Sequence, residues 1–124
     1  MSKWDYIMAT TPEGRIKAKV KALFHRYNVW YFMPANNGYG RSGVPDFVAC
    51  ANGRFIGIET KADGTKKATA LQELCGRAIL SSGAYYAVVF DDVTLLNLET
   101  YLKVGLGMVD VSSRGRKGTG TEAE

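Results

Sequence analysis

The stretch GVPDFVACANGRFIGIETKA, Gly43 to Ala62, decides the fold. At its centre, Asn52-Gly53 is the strongest short signal for a two-residue β-turn, because both central residues of that turn need positive φ. On either side lie DFVACA (46–51) and RFIGIETK (54–61), two runs of strand composition. A two-residue turn sets the register of the hairpin. Ala51 faces Arg54, Cys50 faces Phe55, Ala49 faces Ile56, and continuing the count sets Asp46 opposite Glu59. Side chains alternate along a strand, so Asp46, Glu59 and Lys61 share one face unless a bulge shifts the register. Two carboxylates facing each other across a ladder repel unless a positive charge lies between them. Hard oxygen donors of this kind suit Mg²⁺.

Upstream, NNGYGRSG (36–43) sets Gly38, Gly40 and Gly43 in a G-x-G-x-x-G spacing. A dinucleotide loop of that form must leave a strand and open a helix. Here Pro45 biases Val44 away from helical backbone, and a strand follows. The loop therefore leads to Asp46 and not to a helix. Its glycines let backbone approach a phosphate and deliver Asp46 to the start of its strand, with Arg41 as a phosphate contact or a solvated loop charge.

Before the loop, TTPEGRIKAKVKALFHRYN (10–28) begins with Thr11 as N-cap and Pro12 at the first helical position. Ile16, Val20, Leu23, Phe24 and Tyr27 fall on one face of that helix, and Glu13 lies near its edge. A glutamate in a first turn also favours the helix dipole. Arg15, Lys19 and Arg26 line one flank and Lys17 and Lys21 another; such charges are usually solvated, or meet phosphates. The run VWYFM (29–33) reads as a strand. After the hairpin come a polar loop with Lys66 and Lys67, and a second helix opened by Thr69 and stopped by Gly83. A buried strand, AYYAVVF (84–90), and a last helix or turn-rich element over 93–103 complete the order α-β-β-β-α-β-(α). The fold class is α/β, a mixed sheet flanked by helices. Trp30, Tyr31, Phe32, Tyr85 and Tyr86 are read as core, and His25 as a helix residue away from the acids.

The 124 residues carry 46% hydrophobic and 23% charged side chains and a net charge of +4, with a pI near 9.1. That is the balance of one globular domain leaning toward a polyanionic partner. Residues 1–111 form the domain, and 112–124, SSRGRKGTGTEAE, a polar tail expected to be disordered. Cys50 and Cys75 sit in apolar segments without metal-like spacing, as buried free thiols of a reducing cytoplasm would. No apolar run is long enough to span a membrane, and no signal peptide is visible.

Taken together, TPEGRIK, GYGRSGVPDF, GIETKA and a helix bearing Gln72 resemble the VRR-NUC branch of the PD-(D/E)XK, restriction-endonuclease-like nucleases, in its short standalone viral and bacterial form. The resemblance spans roughly residues 11–90. It implies metal-dependent hydrolysis of DNA phosphodiesters. Asp46 and Glu59 would bind Mg²⁺, or Mn²⁺ in its place, with the Thr60 backbone carbonyl. Lys61 would orient the attacking water and offset charge on the phosphate. Glu13 would act through water on the metal or complete a second metal site. Gln72 would support the site, although Thr69-x-x-Gln72 is also a capping box. Arg15, Lys19, Arg41, Lys66 and Lys67 are the nucleic-acid-binding candidates. Standalone members are homodimers that resolve four-way junctions, which makes DNA and a second copy the expected partners, with Trp30, Phe32, Leu102 or Leu106 at the interface. Three other readings compete: a nicking or flap nuclease, a non-catalytic DNA-binding module, and a nucleotide-binding protein.

Overall fold

The computed structural model describes residues 2, 3, 6, 10–35 and 42–112 of the chain. Residues 36–41, with Gly38, Gly40 and Arg41, and the tail from residue 113 lie outside the described residues.

The first helix, α1 (Pro12–Arg26), starts where its cap requires: the Thr11 hydroxyl accepts from the Gly14 N–H and Pro12 occupies the first turn. Strand β1 (Trp30–Phe32) follows, then β2 (Phe47–Ala51) and β3 (Arg54–Thr60), helix α2 (Ala70–Ser81), strand β4 (Tyr85–Val89) and helix α3 (Asp92–Thr100), which continues as a π-helical turn over Tyr101–Gly105. The element order is the one expected. The sheet runs β1-β2-β3-β4, antiparallel through β3 and parallel between β3 and β4.

At the β2–β3 turn, Asn52 and Gly53 both hold positive φ, 50° and 79°. The register follows the count from that turn: Ala51 pairs with Arg54 and Phe47 with Ile58. The strand begins at Phe47, one residue later than expected, which leaves Asp46 at its mouth.

One face of the sheet presents Phe47, Ala49, Ile56 and Ile58 to α1 and α3. Ile16, Val20, Leu23, Phe24 and Tyr27 pack there from α1 with Leu98 and Leu102 behind them, all at most 9% exposed. The expected stripe is the core-facing stripe, because deep burial of each large side chain is worth about 1.5–3 kcal/mol. Helix α2 lies on the opposite face. It sits close enough that a Cβ on Gly57 would stand 3.1 Å from Ile79 Cδ1, and one on Gly76 would strike the Tyr86 ring.

Because α2 covers only the β3–β4 side, several expectations for the other half fail. Trp30 and Phe32, read as core, are 64% and 46% exposed, since they point to the side of the sheet that α2 leaves bare. Cys50 pairs with Trp30 on that same bare side, so it is exposed rather than buried, and Cys75 is half-buried. Tyr31, on the α1 face, is half-buried, and in β4 only Val89 is fully buried. Leu102 is completely buried and cannot form part of an interface. Among the described residues no helix is long and apolar enough to cross a membrane.

Candidate active site

The end of β3 carries Glu59, Thr60 and Lys61, and three other elements converge on it. Gly43 explains how the loop arrives. Its φ is +81°, and a Cβ there would lie 2.6 Å from the Leu71 backbone, so only glycine lets the chain pass against the first turn of α2. Val44-Pro45 then delivers Asp46 beside β3. The Thr60 N–H and hydroxyl both donate to Asp46 Oδ2, at 2.8 and 2.7 Å. Thr60, expected to contribute its carbonyl, thus also positions a carboxylate.

Glu59 is 3% exposed. Its Oε2 accepts from Gln72 Nε2 at 2.6 Å and lies 3.7 Å from Lys61 Nζ, while its Oε1 is buried without a partner among the described residues. Burial first and the nearby Asp46 second push its pKa up to about 7, against the pull of Lys61 and Lys17. Gln72 completes the capping box and also contacts Glu59 and Lys61. Its Oε1 accepts from the Thr69 N–H, completing the capping box, and from Lys61 Nζ, each at 2.9 Å. Its Nε2 is thereby aimed at Glu59. One amide therefore fixes the start of α2 and bridges the acid and the lysine.

On the other side of Asp46, α1 supplies Glu13 and Lys17. Lys17, read as a flank residue, is 9% exposed, with Nζ ion-paired to Glu13 Oε2 and 3.7 Å from Asp46 Oδ2. Two signals in the sequence point to it. Glu13 and Lys17 stand at the i,i+4 spacing that joins side chains along a helix, and Lys17 lies seven residues, within about 20° of the wheel, from Phe24 in the buried stripe. A cleft of about 710 Å³ opens beside these groups, lined by Glu13, Lys17, Lys21, Tyr31 and Asp46 among others. A smaller cavity of about 110 Å³ joins Gly43, Pro45, Asp46 and Gln72. Asp46 lines both, as do Pro34 and Ala35.

The remaining candidates are dispersed. Arg15, Lys19, Lys66 and Lys67 are exposed, and Lys19 pairs with Asp92 at 2.9 Å. Arg26 is ion-paired to Glu99 and Asp110. His25 meets Tyr31 through its Nε2, away from the acids as expected. Among the described residues no three His, Cys, Asp or Glu side chains gather as a metal-holding group. The donor set nevertheless fits a divalent cation in one respect: a buried carboxylate oxygen without a partner, next to a second carboxylate, leaves a negative charge that a cation would balance.

Among solved structures the chain is similar to one titled "VRR_NUC domain", with a TM-score of 0.64 and 26% identity, covering 72% of this chain and 95% of that one. No protein-family profile and no curated protein matches the sequence.

Proposed function

The chain is a VRR-NUC domain, and from that premise we propose that it is a Mg²⁺-dependent DNA endonuclease, with Mn²⁺ as a substitute, specific for branched DNA and acting on four-way junctions as a homodimer. The observation that carries the chemistry is Glu59 Oε1, buried and without a partner among the described residues, in a carboxylate that feels the charge of Asp46.

Asp46, Glu59 and the Thr60 carbonyl would hold the cation. When bound, it activates water and offsets charge on the scissile phosphate. The other side chains act by position. Thr60 holds Asp46 by two hydrogen bonds, so the carboxylate is set before any ligand arrives. Lys61, 14% exposed at its side chain and tied to Gln72, presents a fixed ammonium to the water and to the oxygens on which charge develops. Gln72 bridges Lys61 and Glu59 by bonding both. Arg15, Lys66 and Lys67 would meet the DNA backbone, with Arg41 joining them from the loop.

The homodimer reading draws on the bare half of the sheet. Trp30 and Phe32 lie with ring centroids 5.8 Å apart and planes tilted by 59° on edge strand β1, and Phe55 shares their face at 43% exposure. Aromatic side chains so placed are typical of the centre of a protein interface. A junction is two-fold symmetric, and a dimer supplies the two sites it needs. The two free thiols suit a cytoplasmic setting.

The test is cleavage of labelled four-way junction, flap, nicked and linear DNA with Mg²⁺ or EDTA. Asp46→Ala, Glu59→Ala and Lys61→Ala should each abolish cutting while circular dichroism stays that of the wild type. Full activity in EDTA sinks the reading, and preferential cutting of flaps or nicked duplex shifts it to a flap or nicking nuclease.

A further inference from the structure

The second lysine of the site, Lys17, has no assigned part in this chemistry. Its stem climbs α1 beside Lys21, and a four-carbon chain can carry its ammonium out to water. Instead the head turns inward. The side chain is 11% exposed, with Nζ on Glu13 Oε2 and facing Asp46 Oδ2 at 3.7 Å.

Asp46 Oδ2 and Glu59 Oε1 differ in what they meet. Among the described residues Asp46 is met on Oδ2, by the Thr60 N–H, the Thr60 hydroxyl and Lys17. The unpartnered oxygen, Glu59 Oε1, belongs to the carboxylate that meets Lys61 and Gln72. The acids therefore form two pairs that share Asp46. One pair, Glu13 with Asp46, already encloses a positive charge. In the other, Asp46 with Glu59, Lys61 is ion-paired, among the described residues, to Glu59 only, 3.7 Å from Oε2. Nucleases that use two divalent ions hold them about 3.5–4 Å apart, bridged by a shared carboxylate. Asp46 would serve as that shared carboxylate, and the Lys17 ammonium already meets the Glu13–Asp46 pair.

We infer that Lys17 is a built-in cation in place of a second divalent ion, so that each chain binds one ion, between Asp46 and Glu59, and Glu13 holds Lys17 rather than a metal. This rests on the reading of Asp46 and Glu59 as ligands. Charge balance agrees. Three carboxylates against two lysines leave one net negative charge, which one divalent ion reverses to a single positive charge facing a phosphodiester. A second ion beside Lys17 would have to overcome repulsion from the ammonium at close range.

The experiment is calorimetric titration of metal-free protein with Mn²⁺, without DNA, and electron paramagnetic resonance of the bound ion. Wild type should take up one ion per chain with the spectrum of an isolated Mn²⁺. Lys17→Met and Lys17→Gln leave Glu13 and Asp46 without their shared counter-charge. Either variant that keeps the wild-type circular dichroism should bind two ions and show spin coupling between them. Lys17→Arg should return the count to one, which loss of packing alone would not achieve. Two ions in the wild type, or one ion in both neutral variants, overturns the inference. Asp46→Ala separates the premise: if it binds Mn²⁺ as the wild type does, the ligand reading itself has failed, and the role of Lys17 with it.

Discussion

Lys61 Nζ donates to Gln72 Oε1 at 2.9 Å, and that oxygen is also the one that caps α2. The start of a helix and the charge of a candidate catalytic lysine are thereby held by a single amide. The two functions separate by substitution. Gln72→Glu keeps an acceptor for the Thr69 N–H but replaces the Nε2 donor with a carboxylate facing Glu59. Gln72→Ala removes both and should cost about 1 kcal/mol through the lost cap. Gln72→Glu should therefore retain helix content yet lose at least tenfold in cleavage rate, read by single-turnover kinetics beside circular dichroism. Wild-type cleavage by Gln72→Glu would reduce Gln72 to a cap.

Glu59→Gln addresses the uncompensated carboxylate. A buried charge beside a like charge is destabilising, and the amide can still accept from Gln72. Metal-free Glu59→Gln should be more stable than wild type by about 1–2 kcal/mol in urea denaturation. Addition of Mg²⁺ should stabilise the wild type and leave the variant nearly unchanged. A variant less stable than wild type in EDTA would mean that Glu59 is compensated by groups other than a cation.

The end of the described chain is fastened at a second, unrelated site. Asp110 accepts from Arg26 and from Ser112, and these bonds, that of Ser112 foremost, hold its pKa down to about 2. A lowered carboxyl pKa stabilises the fold above the unfolded value of 3.8 and ceases to do so as pH falls through about 2. The pair is partly exposed, so the effect discounts to about 1 kcal/mol. Asp110→Asn should cost that amount at pH 6 and nothing further at pH 1.5, measured by thermal or urea unfolding. An equal penalty at both pH values would trace the loss to shape and not to charge.

DNA contacts should distinguish the exposed loop lysines from the ion-paired Lys19. Lys66 and Lys67 are exposed on the loop after β3, while Lys19 already pairs with Asp92. Each lysine that neutralises a phosphate contributes about one unit to the slope of log K against log salt. Lys66→Ala with Lys67→Ala should lower that slope by up to about two, and Lys19→Ala by less than one. Fluorescence anisotropy from low to moderate salt gives both slopes. An unchanged slope in the double variant would move the DNA surface elsewhere.

Which features the sequence discloses follows from how local their causes are. The hairpin register was legible because Asn52-Gly53 admits one turn geometry, and the count from it holds from Ala51–Arg54 to Phe47–Ile58, while Asp46, one step further, lies outside the strand and bonds Thr60. The caps at Thr11 and Thr69 are equally local. Gly43 was legible as a glycine that must be one, but for the wrong neighbour: the close approach is to the Leu71 backbone, twenty-eight residues on. Trp30 and Phe32 misled because composition cannot tell which half of a sheet a helix will cover. Lys17 was hidden because an i,i+4 ion pair looks the same on a solvated face as in a closed site, and only the arrival of Asp46 from the loop closes it.

The bare half of the sheet bears the last prediction. Trp30 at 64% and Phe32 at 46% exposure sit on β1, an edge strand of three residues, with Phe55 beyond them on the same face. An edge strand with an uncovered aromatic surface is open to pairing with another chain unless it is occupied. The occupant that the proposed function supplies is a second copy, which would also provide the second incision a junction requires. A stable interface needs about 800 Å² from each partner, more than three aromatic side chains provide, so Leu71 and Leu74 of α2, each more than half exposed, should join them. Sedimentation equilibrium at micromolar concentration should give twice the 13.6 kDa of the chain. Trp30→Asp with Phe32→Asp should give the single mass, with the Mn²⁺ count unchanged and junction products converted from paired cuts to single nicks. A wild-type monomer both alone and on junction DNA would exclude the resolvase and leave a nicking or flap nuclease; a dimer that survives both substitutions would place the interface on another face.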